Sequence, residues 1–430
     1  MLKTMAPIIL SAGALAISAA AVAGNADFDI KSQGVKSVAV FGDSPYGTAP
    51  TDTAELTATP AFINAINADP DVSLVLHVGD IHSGSQYCTE SYNRLVYDLW
   101  TNFRSPLVYT PGDNEWADCH KAKEGGGTYN ASTARIDYKR DANGNLINYA
   151  GGNPVANLDL IRSIFFAIPG YSLGDSMRVL SQSEAFDEDG ESNQDHRGES
   201  KRENDSGARK HGRFEREGHP SDRKYVENVM WGESKTLFVT INVPGGSNND
   251  SDVWFGAPTE TQEQKNERDE RTGADLRWLD AAFARAKTGG FKAVVIQTQA
   301  DMWDLDGKTA SHIARYKPFI DNIAAHTKDF GKPVLLFNGD SHVYRSDNPL
   351  MKGAPCVIES SASAGSEIAC GDDAYDNQPG GYQVPNFHRV VVHGSTFALE
   401  WLKLTISPRA NAANGANAFG PFGWQRMIQQ

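Results

Sequence analysis

The stretch Val38-Ala39-Val40-Phe41-Gly42-Asp43 is a short apolar run that ends in a Gly-Asp pair, and it decides how the chain is expected to fold. The same arrangement recurs in Leu74-Val75-Leu76-His77-Val78-Gly79-Asp80, Leu107-Val108-Tyr109-Thr110-Pro111-Gly112-Asp113 and Val334-Leu335-Leu336-Phe337-Asn338-Gly339-Asp340. Apolar runs of this length, rich in β-branched residues, are typical of buried strands. The sequence therefore predicts a set of strands that each lead into a turn carrying a carboxylate.

Helix-like segments separate these strands, at residues 61–68, 92–103, 274–286 and 313–325. Strands that alternate with helices predict βαβ units and a largely parallel sheet. Further strands are expected at residues 236–243, 293–298, 389–393 and 397–406. The whole set predicts an α/β fold in which two sheets form a sandwich flanked by helices.

The repeated Gly-Asp pairs predict a metal site. The carboxyl ends of parallel strands meet at one edge of a sheet, and ligands bind in the crevice there. The glycine permits a tight turn, and the aspartate projects into the crevice. Several carboxylates at one edge would repel each other unless a cation lay among them. A divalent cation is therefore expected at this edge.

The order of the motifs resembles the calcineurin-like metallophosphoesterase family. That family carries Asp-x-His, Gly-Asp, Gly-Asn-His-Asp/Glu, a lone His after a strand, and Gly-His-x-His. The corresponding stretches here are Gly42-Asp43-Ser44-Pro45, Gly79-Asp80-Ile81-His82, Gly112-Asp113-Asn114-Glu115, Gln297-Thr298-Gln299 and Gly339-Asp340-Ser341-His342. The resemblance spans about residues 36–345. It implies a four-layer α/β-β/α sandwich with mixed sheets, and hydrolysis of a phosphate ester by a metal-bound hydroxide.

The resemblance also implies a set of metal ligands. The family's first ion would be held here by three residues, Asp43, Asp80 and His342, with Pro45 at the place of the first-motif histidine. Its second ion would be held by Asp80, Asp113, Gln299 or Gln297, and Asp340. Oxygen donors thus replace nitrogen donors, which favours Mn²⁺, Mg²⁺ or Ca²⁺ over Zn²⁺. We expect one or two divalent ions. The competing interpretation is a decayed site in which the carboxylates only cap turns.

Three residues are candidates for a catalytic role. The family histidine that assists the leaving group corresponds to Asn114, whose amide cannot donate a proton at neutral pH. His82, two residues beyond the shared aspartate, is the best substitute on position alone. Arg345, just past the last motif, could hold a phosphate oxygen bidentately. Glu115 is expected to orient the neighbouring turn.

The N-terminus has the pattern of a secretory signal peptide. Lys3 precedes an apolar run over residues 7–20, and Ala21-Val22-Ala23 forms a small-x-small cleavage site. We expect a signal peptide at residues 1–23 and a periplasmic or secreted protein, with no membrane span after cleavage. The four cysteines, Cys88, Cys119, Cys356 and Cys370, allow three pairings, and closeness in sequence favours Cys88–Cys119 and Cys356–Cys370.

Composition limits the class of partner. The net charge of −14 argues against a nucleic-acid partner, and a small-molecule or phosphoester substrate is expected. One domain is predicted at residues 34–407, followed by a C-terminal tail at 408–430. The charged segment at about residues 181–223 has almost no aliphatic side chains and is expected to be a disordered insertion.

Two other function classes are compatible with the sequence. Phe41-Gly42-Asp43-Ser44 resembles the start of a Gly-Asp-Ser serine esterase, with Ser44 as nucleophile, although the later motifs have the wrong spacing. The loss of the family histidines is also compatible with a non-catalytic binding protein on a phosphoesterase fold.

Overall fold

A computed structural model describes most of the chain. The described residues are 37–184, 219–249, 252–305, 314–361, 365–371, 375, 380–395, 397–407, 413–415 and 417–429. The predicted signal peptide at residues 1–23 lies outside them, as does most of the charged insertion.

The described residues form two large sheets and a hairpin. Their strands are β1 (Ser37–Phe41), β2 (Val72–His77), β3 (Pro106–Tyr109), β4 (Gly127–Asn130), β5 (Arg135–Tyr138), β6 (Leu173–Gly174), β7 (Leu180–Ser181), β8 (Val229–Glu233), β9 (Thr236–Thr240), β10 (Ala293–Gln297), β11 (Val334–Asn338), β12 (Arg345–Asp347), β13 (Val357–Glu359), β14 (Glu367–Ala369), β15 (Phe387–Val391), β16 (Glu400–Ile406), β17 (Ala413–Gly415), β18 (Ala418–Gly420) and β19 (Phe422–Ile428). The longer helices are α1 (Ala54–Ala68), α2 (Glu90–Trp100), α3 (Pro154–Phe165), α4 (Gln262–Thr288) and α5 (Lys317–Phe330).

Both sheets are mixed, with a parallel centre. The first has the order β17-β18-β19-β16-β1-β2-β3-β6, and the second has the order β14-β13-β12-β15-β11-β10-β9-β8-β7. In the first sheet β1, β2 and β3 are parallel, and β16 joins β1 antiparallel. In the second sheet β9, β10, β11 and β15 are parallel. The parallel strands are those that the Gly-Asp pattern predicts, together with their neighbours.

Three apolar layers join the sheets and helices. The two sheets share a core that includes Val40, Leu76, Val295 and Phe337. Alternate residues of the first sheet face the other way and pack on α1, α2 and α3, through Phe41, Phe62, Val75, Val96 and Ile161. The second sheet packs on α4 and α5 in the same manner, through Leu279, Val294, Ile296, Ile320 and Leu336. The layers thus run helix, sheet, sheet, helix, which confirms the predicted four-layer sandwich.

The structure differs from the prediction at the C-terminal tail and at both ends of the charged insertion. The predicted tail contains three strands, at Ala413–Gly415, Ala418–Gly420 and Phe422–Ile428, and β19 pairs with β16 from Glu400↔Ile428 to Ile406↔Phe422. The alternation of apolar and polar residues in β19 places Phe422 and Trp424 in the core between the sheets. Both ends of the predicted insertion are ordered, because β7 pairs with β8 and Pro220–Lys224 forms a 3-10 helix, and residues 185–218 lie outside the described residues.

The disulfides are those favoured by closeness in sequence. Cys88 pairs with Cys119 and Cys356 with Cys370, and no cysteine is free. The Cys88–Cys119 bridge ties the segment after β2 to the segment after β3, and both segments lead from Gly-Asp turns. Disulfides are typical of proteins in oxidising compartments. Within the described residues no helix combines the length and the apolar character that crossing a membrane requires.

We predict that removing the disulfide that closes the longer loop destabilises the protein more than removing the other. The two bridges join residues separated by 31 and 14 positions. The loss of restraint on the unfolded chain should lower the free energy of unfolding by about 4 kcal/mol for Cys88→Ala/Cys119→Ala and by about 3 kcal/mol for Cys356→Ala/Cys370→Ala. Urea denaturation of the two double variants measures both values. A larger loss at the shorter loop would contradict the entropic origin of the effect.

Candidate metal centre

Three of the predicted ligands meet at the carboxyl ends of the strands. Asp43 follows β1, Asp80 follows β2 and His342 follows β11 of the other sheet, and each has a ligand atom within 4.8 Å of those of the other two. Both carboxylates are buried, whereas the imidazole side chain is 36% exposed. The cluster therefore lies at the junction of the two sheets and is open on the side of His342.

The backbone at this junction takes a rarely occupied conformation. Asp43, Asp80, Asp340 and His342 have positive φ angles of 48°, 62°, 74° and 59°. A left-handed residue other than glycine costs on the order of 1 kcal/mol, and such residues cluster at functional sites. Aspartate tolerates this conformation better than most residues. The turns thus hold the side chains in place at a cost that the packing around them offsets.

Glycines let the backbone approach the carboxylates closely. A Cβ atom added at Gly339 would lie 2.4 Å from Asp43 Oδ2, and one at Gly112 would lie 2.0 Å from Asp80 Oδ1. The glycines of the third and fourth Gly-Asp pairs therefore do more than permit a turn. The two glycines make room for the carboxylate of a neighbouring pair.

Tyr46 is a central residue of the cluster that the sequence-based prediction missed. Its hydroxyl donates to Asp80 Oδ2 at 2.8 Å and accepts from Asn114 Nδ2 at 2.8 Å. The hydroxyl oxygen also lies 3.2 Å from His342 Nε2. Tyr46 directly follows Pro45, which stands at the place of the first-motif histidine. In the sequence, the one feature that pointed to Tyr46 was its position directly after the residue that replaces the family histidine.

Glu115 holds the two neighbouring turns, as predicted. Its carboxylate accepts from the backbone N–H of Gly112 at 2.5 Å, of Asp80 at 3.3 Å and of Ile81 at 3.4 Å. It also accepts from the Tyr109 hydroxyl at 2.6 Å. One buried carboxylate thereby fixes the turns that present Asp80 and Asp113.

The remaining predicted ligands surround the cluster in different ways. Gln299 donates from Nε2 to Asp80 Oδ2 and to Asp113 Oδ1, both at 3.1 Å. Asp340 donates from its backbone N–H to Asp43 Oδ1 at 2.9 Å and accepts at Oδ2 from Asp301 N. The alternative ligand Gln297 instead donates to the His77 and Val108 carbonyls. Gln299 thus presents amide hydrogens, not its oxygen, to the predicted ligands.

Two predicted catalytic residues have partners other than the cluster. Arg345 is buried, and its guanidinium pairs with Asp301 and Asp347, which also pair with Arg389. Because its guanidinium is buried and already paired with two aspartates, Arg345 is a structural residue of this ion-pair network and does not bind phosphate in the proposed site. His82 is buried with Nδ1 3.1 Å from the Ser83 carbonyl oxygen. It is not one of the three residues whose ligand atoms meet.

Burial disfavours the ionised form of the predicted aspartate ligands when no cation is bound. It raises the pKa of Asp43 to about 7 and those of Asp80 and Asp113 well above the ordinary value, with repulsion between the carboxylates adding to the effect. Burial lowers the pKa of His342 to about 4, so its imidazole is neutral at pH 7 and can offer a lone pair.

The donor set fits a divalent cation. Asp43 Oδ2 is buried and has no hydrogen-bond partner among the described residues. Two carboxylates and one neutral imidazole within reach of each other are suitable ligands for Mn²⁺ or Mg²⁺. The raised pKa values show that no positive charge stabilises the ionised form of these carboxyl groups, and a bound cation would provide that charge.

Comparison with known proteins adds little. No family model matches this sequence, and no curated protein sequence matches it either. Two similar solved structures are a purple acid phosphatase, PPD1, from yellow lupin (Lupinus luteus) seeds and the sulfate thiohydrolase SoxB of Thermus thermophilus in complex with glycerol. The TM-scores are 0.34 and 0.33, each at 11% sequence identity over 86% of this chain. The alignments cover 49% and 42% of those chains, so this chain spans about half of their length. Both similarities are too low to indicate a shared activity.

We predict that the raised pKa of Asp43 makes the metal-free protein less stable as the pH rises from about 4 to about 7. A carboxyl group whose pKa is raised by folding stabilises the protein below its unfolded value of 3.8, and this contribution is lost as the pH rises towards 7. Asp43→Asn removes the titration. In chelator, the free energy of unfolding of the variant minus that of the wild type should therefore rise by about 1–3 kcal/mol from pH 5 to pH 8. A difference that does not change with pH would contradict the assignment. Asp98→Asn, on the exposed face of α2, is the control.

Proposed function

We propose that this protein is an exported, metal-dependent hydrolase of phosphate esters. The observation that carries the proposal is the convergence of Asp43, Asp80 and His342 at the junction of the two sheets. The two disulfides and the N-terminal signal pattern support a location outside the cytosol. The motif order described above supports the reaction class.

The chain's own residues would hold a divalent ion through Asp43, Asp80 and the neutral imidazole of His342. When bound, such an ion lowers the pKa of a coordinated water and neutralises charge on phosphoryl oxygens. Tyr46 and Asn114 form a chain of hydrogen bonds that ends on Asp80 Oδ2, and they keep this carboxylate oriented towards the other ligands. Asn114 thus acts as a positioning residue and not as a proton donor.

The leaving group must depart with little help from a protein acid. Burial lowers the pKa of His82 to about 4, so this residue carries no proton to give from an imidazolium at neutral pH. The amide of Asn114 cannot act as an acid. We therefore expect the rate to depend strongly on the leaving group, with esters of acidic phenols hydrolysed fastest.

The serine esterase interpretation has no support at Ser44. The Ser44 hydroxyl donates to Glu55 Oε2 at 3.4 Å, and the nearby His77 contacts the Ser44 carbonyl oxygen rather than its hydroxyl. In a serine esterase a histidine nitrogen contacts the nucleophilic hydroxyl, and among the described residues no histidine contacts the Ser44 hydroxyl. A non-catalytic binding protein remains the second candidate, because neither Asn114 nor His82 can protonate a leaving group. Turnover of activated phosphoesters distinguishes the two functions.

Asp80→Asn should abolish both metal binding and hydrolysis. Asp80 is one of the three converging ligands, and an amide neither balances the charge of a cation nor offers two oxygens. We expect loss of the thermal shift that Mn²⁺ causes, and a fall in kcat/KM on the order of 10²–10³-fold or more. Asp98→Asn provides the matched control. Full activity of Asp80→Asn would contradict the ligand assignment.

The charge of the site predicts a preference among phosphoesters. Asp113 and Asp340 add two carboxylates to those of Asp43 and Asp80, while the neighbouring bases Arg345 and Lys121 are already paired with aspartates. An extra negative charge on the substrate should cost on the order of 1 kcal/mol or more here. At pH 8, bis(p-nitrophenyl) phosphate, a monoanion, should therefore show a kcat/KM about fivefold or more above that of dianionic p-nitrophenyl phosphate. Preference for the dianion would contradict this view of the site.

A further inference from the structure

The side chain of Gln299 occupies the space between two carboxylates that would otherwise share a cation. It is fully buried, and its Nε2 lies 3.1 Å from Asp80 Oδ2 and 3.1 Å from Asp113 Oδ1. An amide nitrogen carries two hydrogens, and both are used by these contacts. Gln299 therefore bridges the two aspartates with neutral donors.

The orientation of this amide is fixed by a third contact. Gln299 Oε1 accepts from the backbone N–H of Gly245 at 2.6 Å. Rotating the amide by half a turn would place its hydrogens against that N–H and its oxygen against two carboxylate oxygens. All three hydrogen bonds would be lost, and buried polar groups without partners cost about 1–3 kcal/mol each.

The backbone that holds Gln299 is itself braced. Residues 246–249 form a left-handed turn with φ near 60°. Arg271 is buried beneath it and donates to the Asn242 carbonyl at 3.0 Å and to Asn248 Oδ1 at 2.6 Å. A Cβ at Gly245 would lie 2.4 Å from Asp113 Oδ2 and 2.5 Å from Asp340 Oδ1, so the backbone packs tightly on both carboxylates. Arg271 and the tight packing at Gly245 therefore hold the Gly245 N–H, which donates to Gln299, in a fixed position.

Asp80 has too few free lone pairs to bridge two cations. Its Oδ2 accepts from Tyr46 and Gln299, and its Oδ1 accepts from the Asn114 backbone N–H at 3.2 Å. A carboxylate offers about four acceptor sites, so three of them are already filled. One site is left for a cation, and a ligand atom of Asp80 lies within 4.8 Å of those of Asp43 and His342. In the part of the chain that the structure describes, these three residues form the one group of potential ligands within mutual reach.

We propose that the Gln299 amide takes the place of a second metal ion, so that the centre binds a single divalent cation at Asp43, Asp80 and His342. This inference rests on the proposed function for the cation itself. It adds that Asp113 and Asp340 shape the wall of the site without holding an ion. It also makes Gln299 the residue that sets the metal count.

The test is the number of Mn²⁺ ions bound by the mature protein. Equilibrium dialysis against Mn²⁺ should give one ion per chain, and the electron paramagnetic resonance spectrum should be that of an isolated Mn²⁺. Two ions per chain with a spin-coupled spectrum would overturn the inference and leave the proposed function intact. No bound Mn²⁺ would overturn both.

Gln299→Glu tests the role of the amide. The carboxylate removes the two N–H donors and adds a third negative charge beside Asp80 and Asp113, so the bound Mn²⁺ should rise from one to two per chain. Gln425→Glu, at an exposed position of β19, adds the same charge elsewhere and should leave the count at one. A count that stays at one in a folded Gln299→Glu protein would overturn the role of Gln299. If that variant does not fold, the wild-type count decides the inference.

Discussion

Asp43 and Asp80 project buried carboxylates from the ends of adjacent parallel strands towards His342, which approaches them from the second sheet. Neither carboxylate pairs with a lysine or arginine side chain among the described residues, and the imidazole of His342, 3.6 Å from Asp43 Oδ1, is neutral at pH 7. Burial and mutual repulsion instead raise their pKa values, and one oxygen of Asp43 has no hydrogen-bond donor among the described residues. A protein that only needed stability would gain by replacing such a pair with apolar side chains. The pair therefore indicates a ligand that carries positive charge.

The rest of the fold serves to hold this arrangement. The parallel order of β1, β2 and β3 brings Asp43 and Asp80 to one edge, and β11 of the facing sheet brings His342 to the same place. Three features fix the turns that carry these residues. The turns contain residues with positive φ angles and glycines without room for a Cβ, and Glu115 accepts hydrogen bonds from several of their backbone N–H groups. The Cys88–Cys119 bridge links the segments that follow the Asp80 and Asp113 turns. Catalytic groups need such pre-organised support.

The sequence predicts the part of this arrangement that depends on repeating local patterns. The apolar runs before each Gly-Asp pair predict β1, β2, β3 and β11, and shared strand direction then predicts that the carboxylates converge. It does not predict Tyr46, because a hydroxyl that reaches Asp80 across 34 positions depends on the packing of two turns. Nor does it predict which end of the Gln299 amide faces the aspartates, since the Gly245 N–H decides this. The strands at 413–428 were missed because short, glycine-rich segments show little alternation until β19. Helix α3 was missed although Asn153 caps it and Pro154 opens it.

The central claim is that one cation is shared by side chains from both sheets. Crystals soaked in Mn²⁺ and measured at the manganese absorption edge test it most directly, because anomalous scattering locates the ion itself. We predict a peak about 2.0–2.6 Å from an oxygen of Asp43, an oxygen of Asp80 and a nitrogen of His342. A strong manganese peak elsewhere, with these three side chains turned away from one another, would contradict the claim.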